Sequence, residues 1–300
     1  MGGWNRVNDG SSNAPTLDVQ QAWWAMIGLG ENGKEWSMEQ KFEKIAEAGF
    51  KTIVAWLPQK EEMDTWHRLL DRYRLKFAGL AFPYTPQDML ESLKLAQQFG
   101  RVQYLNSQVM DAFVIGDEAI RLLDDLLRVS EEANIPNLIE THRGTVTQDL
   151  IRMSEYLKAL PNLRLTIDLS HYVVAGEMNG VNEQTNAKAE ELFDRLLSRT
   201  SCIHARVSNG EQVQIDIGIE GEHPMVERFT RWWRKGMDYW LQQAQSGDQL
   251  PFCMELGPPT YAITRRHEHG RETEVSDRWQ QALLLKRIVE TEWAHVQRAV

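Results

Sequence analysis

What this chain has little of narrows it first. Cysteine occurs only twice in 300 residues, at Cys202 and Cys253. Two thiols inside apolar runs cannot make a disulfide framework, so both read as reduced core side chains of a cytoplasmic protein. No apolar run approaches the roughly 18 residues a membrane helix needs. The first 21 residues (M-G-G-W-N-R-V-N-D-G-S-S-N-A-P…) lack an apolar signal core and are expected to form a flexible arm, residues 1–21, ahead of one domain over 22–300. Basic charge is in deficit: 33 Lys and Arg stand against 43 Asp and Glu, a net charge of -10. That balance repels nucleic-acid backbones and anionic membrane surfaces, so neither is an expected partner. Internal repeats, low-complexity tracts and a dividing linker are also missing, as is a G-x-G-x-x-G after the first strand.

What is there is strict alternation. Apolar stretches at 23–28, 50–57, 75–82, 102–107, 137–140, 163–169, 201–207 and 251–256 read as strands. Amphipathic segments between and after them read as helices, the first introduced by Ser37 and Gln40 as a capping box and closed by Gly49. Eight such pairs are the sequence form of a single (β/α)8 barrel, an α/β fold, with a doubly wound open sheet as the competing arrangement.

The stretch 163–171, L-R-L-T-I-D-L-S-H, shows where chemistry belongs. Its period of two marks a strand, with Asp168 near the C-terminal end and His171 three residues on. Barrels of this kind carry their chemistry at the C-terminal strand ends. Those of strands five to eight present Glu140, Asp168, His204 and Glu255, each two residues after a neutral side chain suited to a barrel interior. Three carboxylates crowded into one mouth repel each other and resist desolvation unless a cation or protons neutralise them. Three oxygen donors and an imidazole suit one divalent ion, Mn2+, Mg2+ or Co2+, better than a structural zinc.

Taken together, E-T-H (140–142), D-L-S-H (168–171), H-A-R (204–206) and M-E-L (254–256) resemble the xylose isomerase-like TIM barrel superfamily. Within it they are similar to the sugar epimerases and isomerases of the tagatose 3-epimerase type, over roughly residues 23–293. The resemblance implies that Glu140, Asp168, His204 and Glu255 bind one divalent metal and that Glu140 and Glu255 double as acid and base. It also implies that His171 contacts substrate. Where many such epimerases carry an Arg about six residues past the strand-seven His, this chain departs from the pattern with Gly210. The family's multi-zinc nucleases use further His ligands on strands two to four. Here Trp56, Phe82 and Asn106 stand near those ends, against such an activity.

Further candidates surround this set. His142, in the loop after strand five, and Arg206, on the face of His204, are expected to bind substrate, since a buried Arg needs a carboxylate or a ligand. Trp56 and Phe82 are candidate walls of a sugar pocket, against ordinary packing. His267 and His269, with Arg265, Arg266 and Arg271, read as a mobile charged loop over the mouth rather than a second metal site. Trp232, Trp233 and Trp240, at helical spacing, read as core or as the interface of a homo-oligomer. The expected activity is isomerisation or epimerisation of a sugar, sugar acid or polyhydroxy carbonyl compound through an enediolate. A dehydratase, lyase or hydrolase on the same barrel, or a carbohydrate-binding barrel without catalysis, are the alternatives.

Overall fold

Helices begin where side chains satisfy the free N–H groups of a first turn. Ser37 and Gln40 exchange the reciprocal bonds of a capping box ahead of α1 (Met38–Glu47), and α2 (Met63–Tyr73) ends at Arg74 in the left-handed region. Thr85 and Asp88 repeat the box before α3 (Pro86–Phe99). Next come α4 (Gly116–Ala133), α5 (Leu150–Ala159) under an Asp149 cap, and α6 (Leu169–Ala175) under an Asp168 cap. The series closes with α7 (Glu183–Leu197), α8 (Pro224–Leu241) and α9 (Arg278–Ala299). No helix among the described residues is long and apolar enough to cross a membrane.

In this computed structural model, which describes residues 5–270 and 272–299, these helices surround a closed parallel barrel. Its strands are β1 (Thr16–Ala22), β2 (Thr52–Trp56), β3 (Lys76–Ala81), β4 (Val102–Ser107), β5 (Asn137–Glu140), β6 (Leu165–Ile167), β7 (Thr200–Ala205) and β8 (Gln249–Met254). Each pairs with its neighbour in sequence, and β1 closes the ring by pairing with both β8 and β2. The protein is thus a single (β/α)8 barrel.

The first strand departs from the sequence reading. Residues 23–28 are not a strand: they hold a 3-10 turn, Trp24–Met26, while β1 lies at Thr16–Ala22, all but its last residue inside the expected arm. Polarity concealed it, because Asp18 and Gln20 lie buried inside the barrel and bond there to other polar groups. Asp18 Oδ2 accepts from Gln20 Nε2 and Thr52 Oγ1, each at 2.8 Å, and Gln20 Oε1 accepts from Tyr104 OH at 2.6 Å. Residues before β1 are also held in place. Asn5 Oδ1 accepts from the Asn137 backbone N–H at 2.9 Å, Val7 packs in the barrel interior, and Asn8 bridges to Asp248.

A second departure follows β6, where α6 adds a short helix ahead of α7 that the simple alternation of strands and helices does not include. Asp168 accepts from the Ser170 backbone N–H and so starts a helix directly at the strand end. Two apolar layers result. The larger lies between strands and helices and takes in Trp232, Trp233 and Trp240, which are core side chains. The smaller fills the barrel with Val54, Ala78, Tyr104, Leu138, Cys202 and Cys253. Leu138, Cys202 and Cys253 each precede a site residue by two positions, so the charged groups stand on an apolar plug.

Candidate metal centre

Four strands deliver the centre. Glu140 ends β5, Asp168 follows β6, His204 sits in β7 and Glu255 follows β8. One donor atom from each lies within 4.8 Å of every other, and all four residues are buried. His204 Nδ1 is 3.0 Å from Glu255 Oε2 and 3.8 Å from Glu140 Oε1. Asn106 and Gln108, from the end of β4, donate to Glu140 Oε2 at 2.6 and 3.0 Å. Ser170 holds Asp168 Oδ1 through backbone and hydroxyl, and Trp24 Nε1 donates to Glu255 Oε1 at 3.3 Å.

The remaining donors test whether a cation fits. Glu140 Oε1 is buried without a hydrogen-bond partner. An orphaned carboxylate oxygen facing an imidazole nitrogen and two further carboxylates is a position that a divalent ion satisfies. Part of the negative charge is met by the chain itself, since Arg206 Nη2 donates to both Asp168 Oδ2 and Glu255 Oε2 at 2.6 Å.

Burial and charge set the protonation. Burial pushes the Glu140 carboxyl above the usual range and the Glu255 charge adds to it. Burial acts on Glu255 too, but His204 and Arg206 outweigh it and hold that carboxyl below its ordinary value. Asp168 is likewise desolvated, yet Arg206, then His171 and His204, keep it ionised far into acid. Desolvation disfavours a charged His204, while Glu255 and Glu140 reverse this and raise it well above the ordinary imidazole value. His171 has no such excess of carboxylate, so burial leaves it neutral.

His171 lies in α6 rather than in a loop, with Nε2 3.6 Å from Asp168 Oδ2. His142 packs on it with ring centroids 3.8 Å apart, and its Nδ1 meets the Arg143 carbonyl oxygen. Its Nε2 lies 3.4 Å from the Tyr261 hydroxyl. A cavity of about 230 Å3 opens above, with Trp24, Trp56, Phe82 and Tyr261 as aromatic walls and Gln108, His142, Arg206 and Glu255 as polar lining.

The structure therefore brings Glu140, Asp168, His204, Glu255, Arg206, His142 and His171 into one place and sets Trp56 and Phe82 in its wall. His267, half-buried, and His269, exposed, stand apart beside the hairpin of Thr264–Arg266 and Glu272–Glu274, with His267 bonded to Thr273 Oγ1. Arg271 lies outside the described residues. Trp24, Gln108, Arg143 and Tyr261 were missed. Trp24 was assigned to a strand, and a tyrosine in G-P-P-T-Y past the last strand has no periodicity to mark it.

Fold and site together define a TIM barrel with a candidate metal centre in its mouth. The family model of the xylose isomerase-like TIM barrel matches residues 42–215, and the chain belongs to that family. Similar solved structures include a D-allulose 3-epimerase from Methylomonas sp., 13% identical over 92% of this chain and 98% of that one, with a TM-score of 0.60. A xylose isomerase-like TIM barrel protein from Mycobacterium smegmatis in complex with magnesium is 13% identical over 94% and 98%, TM-score 0.59. A probable 3-DHS dehydratase from Bacillus anthracis is 12% identical over 91% and 97%, TM-score 0.51. At such identities the likeness is one of fold. No curated protein matches the chain.

Proposed function

We propose that the protein is a divalent-metal-dependent isomerase or epimerase of a sugar, sugar acid or related polyhydroxy carbonyl compound. The observation that carries this reading is the convergence of Glu140, Asp168, His204 and Glu255 at a cavity with aromatic walls. Those four residues would hold Mn2+, Mg2+ or Co2+. A metal bound there polarises a substrate carbonyl and makes the adjacent C–H more acidic.

The chain's own groups do the rest. Trp24, Trp56, Phe82 and Tyr261 offer ring faces to the C–H surface of a sugar and keep water from the reacting carbon. Arg206, His142 and His171 hold substrate oxygens. Glu140 and Glu255 come from strands separated by β6 and β7, so their carboxylates approach a bound ligand from different sides. One takes the proton from carbon and the other returns it. Return to the opposite face of the same carbon is epimerisation; return to the neighbouring carbon is isomerisation.

The test compares Glu140→Gln and Glu255→Gln with the parent enzyme in deuterated water, scoring C–H exchange beside net conversion. Each variant should keep its substrate and metal and lose on the order of 10²-fold to 10⁴-fold in turnover. Lost conversion with exchange preserved marks the second proton donor; loss of both marks the first base. Unchanged turnover in both variants, with metal bound, refutes the two-glutamate transfer. The dehydratase among the similar structures keeps elimination as a second reading. Mass analysis separates it, because isomers share a mass whereas elimination removes water.

A further inference from the structure

The metal centre leaves cationic groups at its edge unmatched. Arg206 is only 1% exposed, and its Nη2 is occupied by Asp168 and Glu255. Its Nε and Nη1 are buried with no partner in the chain among the described residues. Buried guanidinium donors that no protein acceptor satisfies are costly, and ligand oxygens relieve that cost. Tyr261 stacks over this guanidinium at 4.9 Å, and Arg143 lies over the same ring at 5.3 Å. Arg143 pairs with no carboxylate among the described residues and rests on the Tyr261 ring instead.

The second arginine points the same way. Arg143 adjoins the cavity through its neighbour His142 and the Tyr261 ring, both of which line it, and has no carboxylate counter-charge among the described residues. A neutral sugar answers the buried donors of Arg206 only with hydroxyls and leaves Arg143 unanswered. An oxyanion on the ligand satisfies both, since planar guanidinium groups bind carboxylate and phosphate oxygens in pairs.

We propose that the substrate is an anionic polyhydroxy compound whose carboxylate or phosphate docks at Arg143 and Arg206 beside Tyr261. This deepens the isomerase reading and depends on its site, but it concerns binding rather than proton transfer, so the two are separable.

The experiment uses the full chain loaded with Mn2+. Calorimetry measures binding of neutral hexoses and ketohexoses, of the matching uronates and aldonates, and of the matching 6-phosphates. The tightest ligands are expected in one of the two anionic sets, and which set it is identifies carboxylate or phosphate. Arg143→Gln, at the half-buried rim, should weaken those ligands by about tenfold to hundredfold, the usual worth of a hydrogen bond to a charged group, with Mn2+ affinity unchanged. Arg206→Lys, which keeps the charge but loses the fork, should weaken them as well. Neutral sugars binding as tightly as their anionic counterparts overturns the proposal. So does anion binding that Arg143→Gln leaves unaltered, or an anionic set in which nothing binds. Arginine-dependent binding without C–H exchange in deuterated water upholds the anion site and sinks the isomerase reading; failure of the parent chain to bind Mn2+ removes the metal on which both rest.

Discussion

Asp18 shows how a single residue can report on the barrel interior. Its carboxyl is buried, accepts from Gln20 and Thr52 through one oxygen, and leaves Oδ1 without a partner. Burial pushes it above the ordinary carboxylate value, a shift that Lys76 only partly opposes. A carboxyl whose folded value is raised binds its proton more tightly in the native state, so its contribution is most favourable in acid and is lost as pH rises through the folded value. Asp18→Asn removes that loss. The variant should match the parent near pH 3.5 and exceed it above that, by on the order of 1 kcal/mol at pH 8, a size typical of relieving one buried charge. Urea midpoints of the two proteins across that pH range provide the measurement, and parallel curves would show that Asp18 carries no such cost. The site residues illustrate the same interplay at closer range, because Glu140 and Glu255, alike in type and burial, are driven in opposite directions by the charges beside each.

At the scale of elements, the segment after β8 decides how tightly the site closes. Gly257 lies where a Cβ would stand 2.3 Å from the Trp24 ring and 2.8 Å from Tyr261 Cβ. Only glycine lets this backbone pass between two walls of the cavity, and its N–H and carbonyl both bond to the Gln214 side chain. Gly257→Ala should force Trp24 away, weaken its bond to Glu255 and cost about 1–3 kcal/mol, the range for overpacking a tight site. A lowered urea midpoint together with weaker ligand binding is the expected outcome; a midpoint equal to the parent's would show that Trp24 yields freely. The short helix α6 acts in a related way. By starting at Asp168 it ties one carboxylate oxygen to Ser170 and leaves the other to Arg206.

For the whole molecule, the segment ahead of β1 matters to stability. Arg6 pairs with Asp248 at 3.1 Å, Asn8 Nδ2 donates to the same carboxylate at 2.7 Å, and the Gln249 N–H donates to the Val7 carbonyl at 2.8 Å. Because these bonds cross from the start of the chain to β8, the segment closes the N-terminal end of the barrel. Deleting residues 1–15 should lower the thermal midpoint by several degrees while the barrel still forms, since a loss of about 1–3 kcal/mol moves the midpoint by a few degrees in a chain of this size. Circular dichroism melts of the two chains make the comparison, and an unchanged midpoint would return the segment to the role of an arm.

The sequence by itself determined the alternation of strands and helices, because hydrophobic period and end caps are local properties. For the same reason it determined that Glu140, Asp168, His204 and Glu255 stand at successive strand ends: a barrel's parallel strands turn chain order into spatial order. Tertiary structure alone decided the rest. The strand Thr16–Ala22 was hidden because Asp18 and Gln20 are polar in sequence and become compatible with burial only through partners on other strands, Thr52 and Tyr104. Trp24 and Tyr261 became walls of the cavity because Gly257 allows their approach, and no local pattern records a distance between residues more than two hundred positions apart. The opposite shifts of the Glu140 and Glu255 carboxyls likewise depend on which charges the closed ring places beside each, a property of three dimensions that side-chain type does not carry.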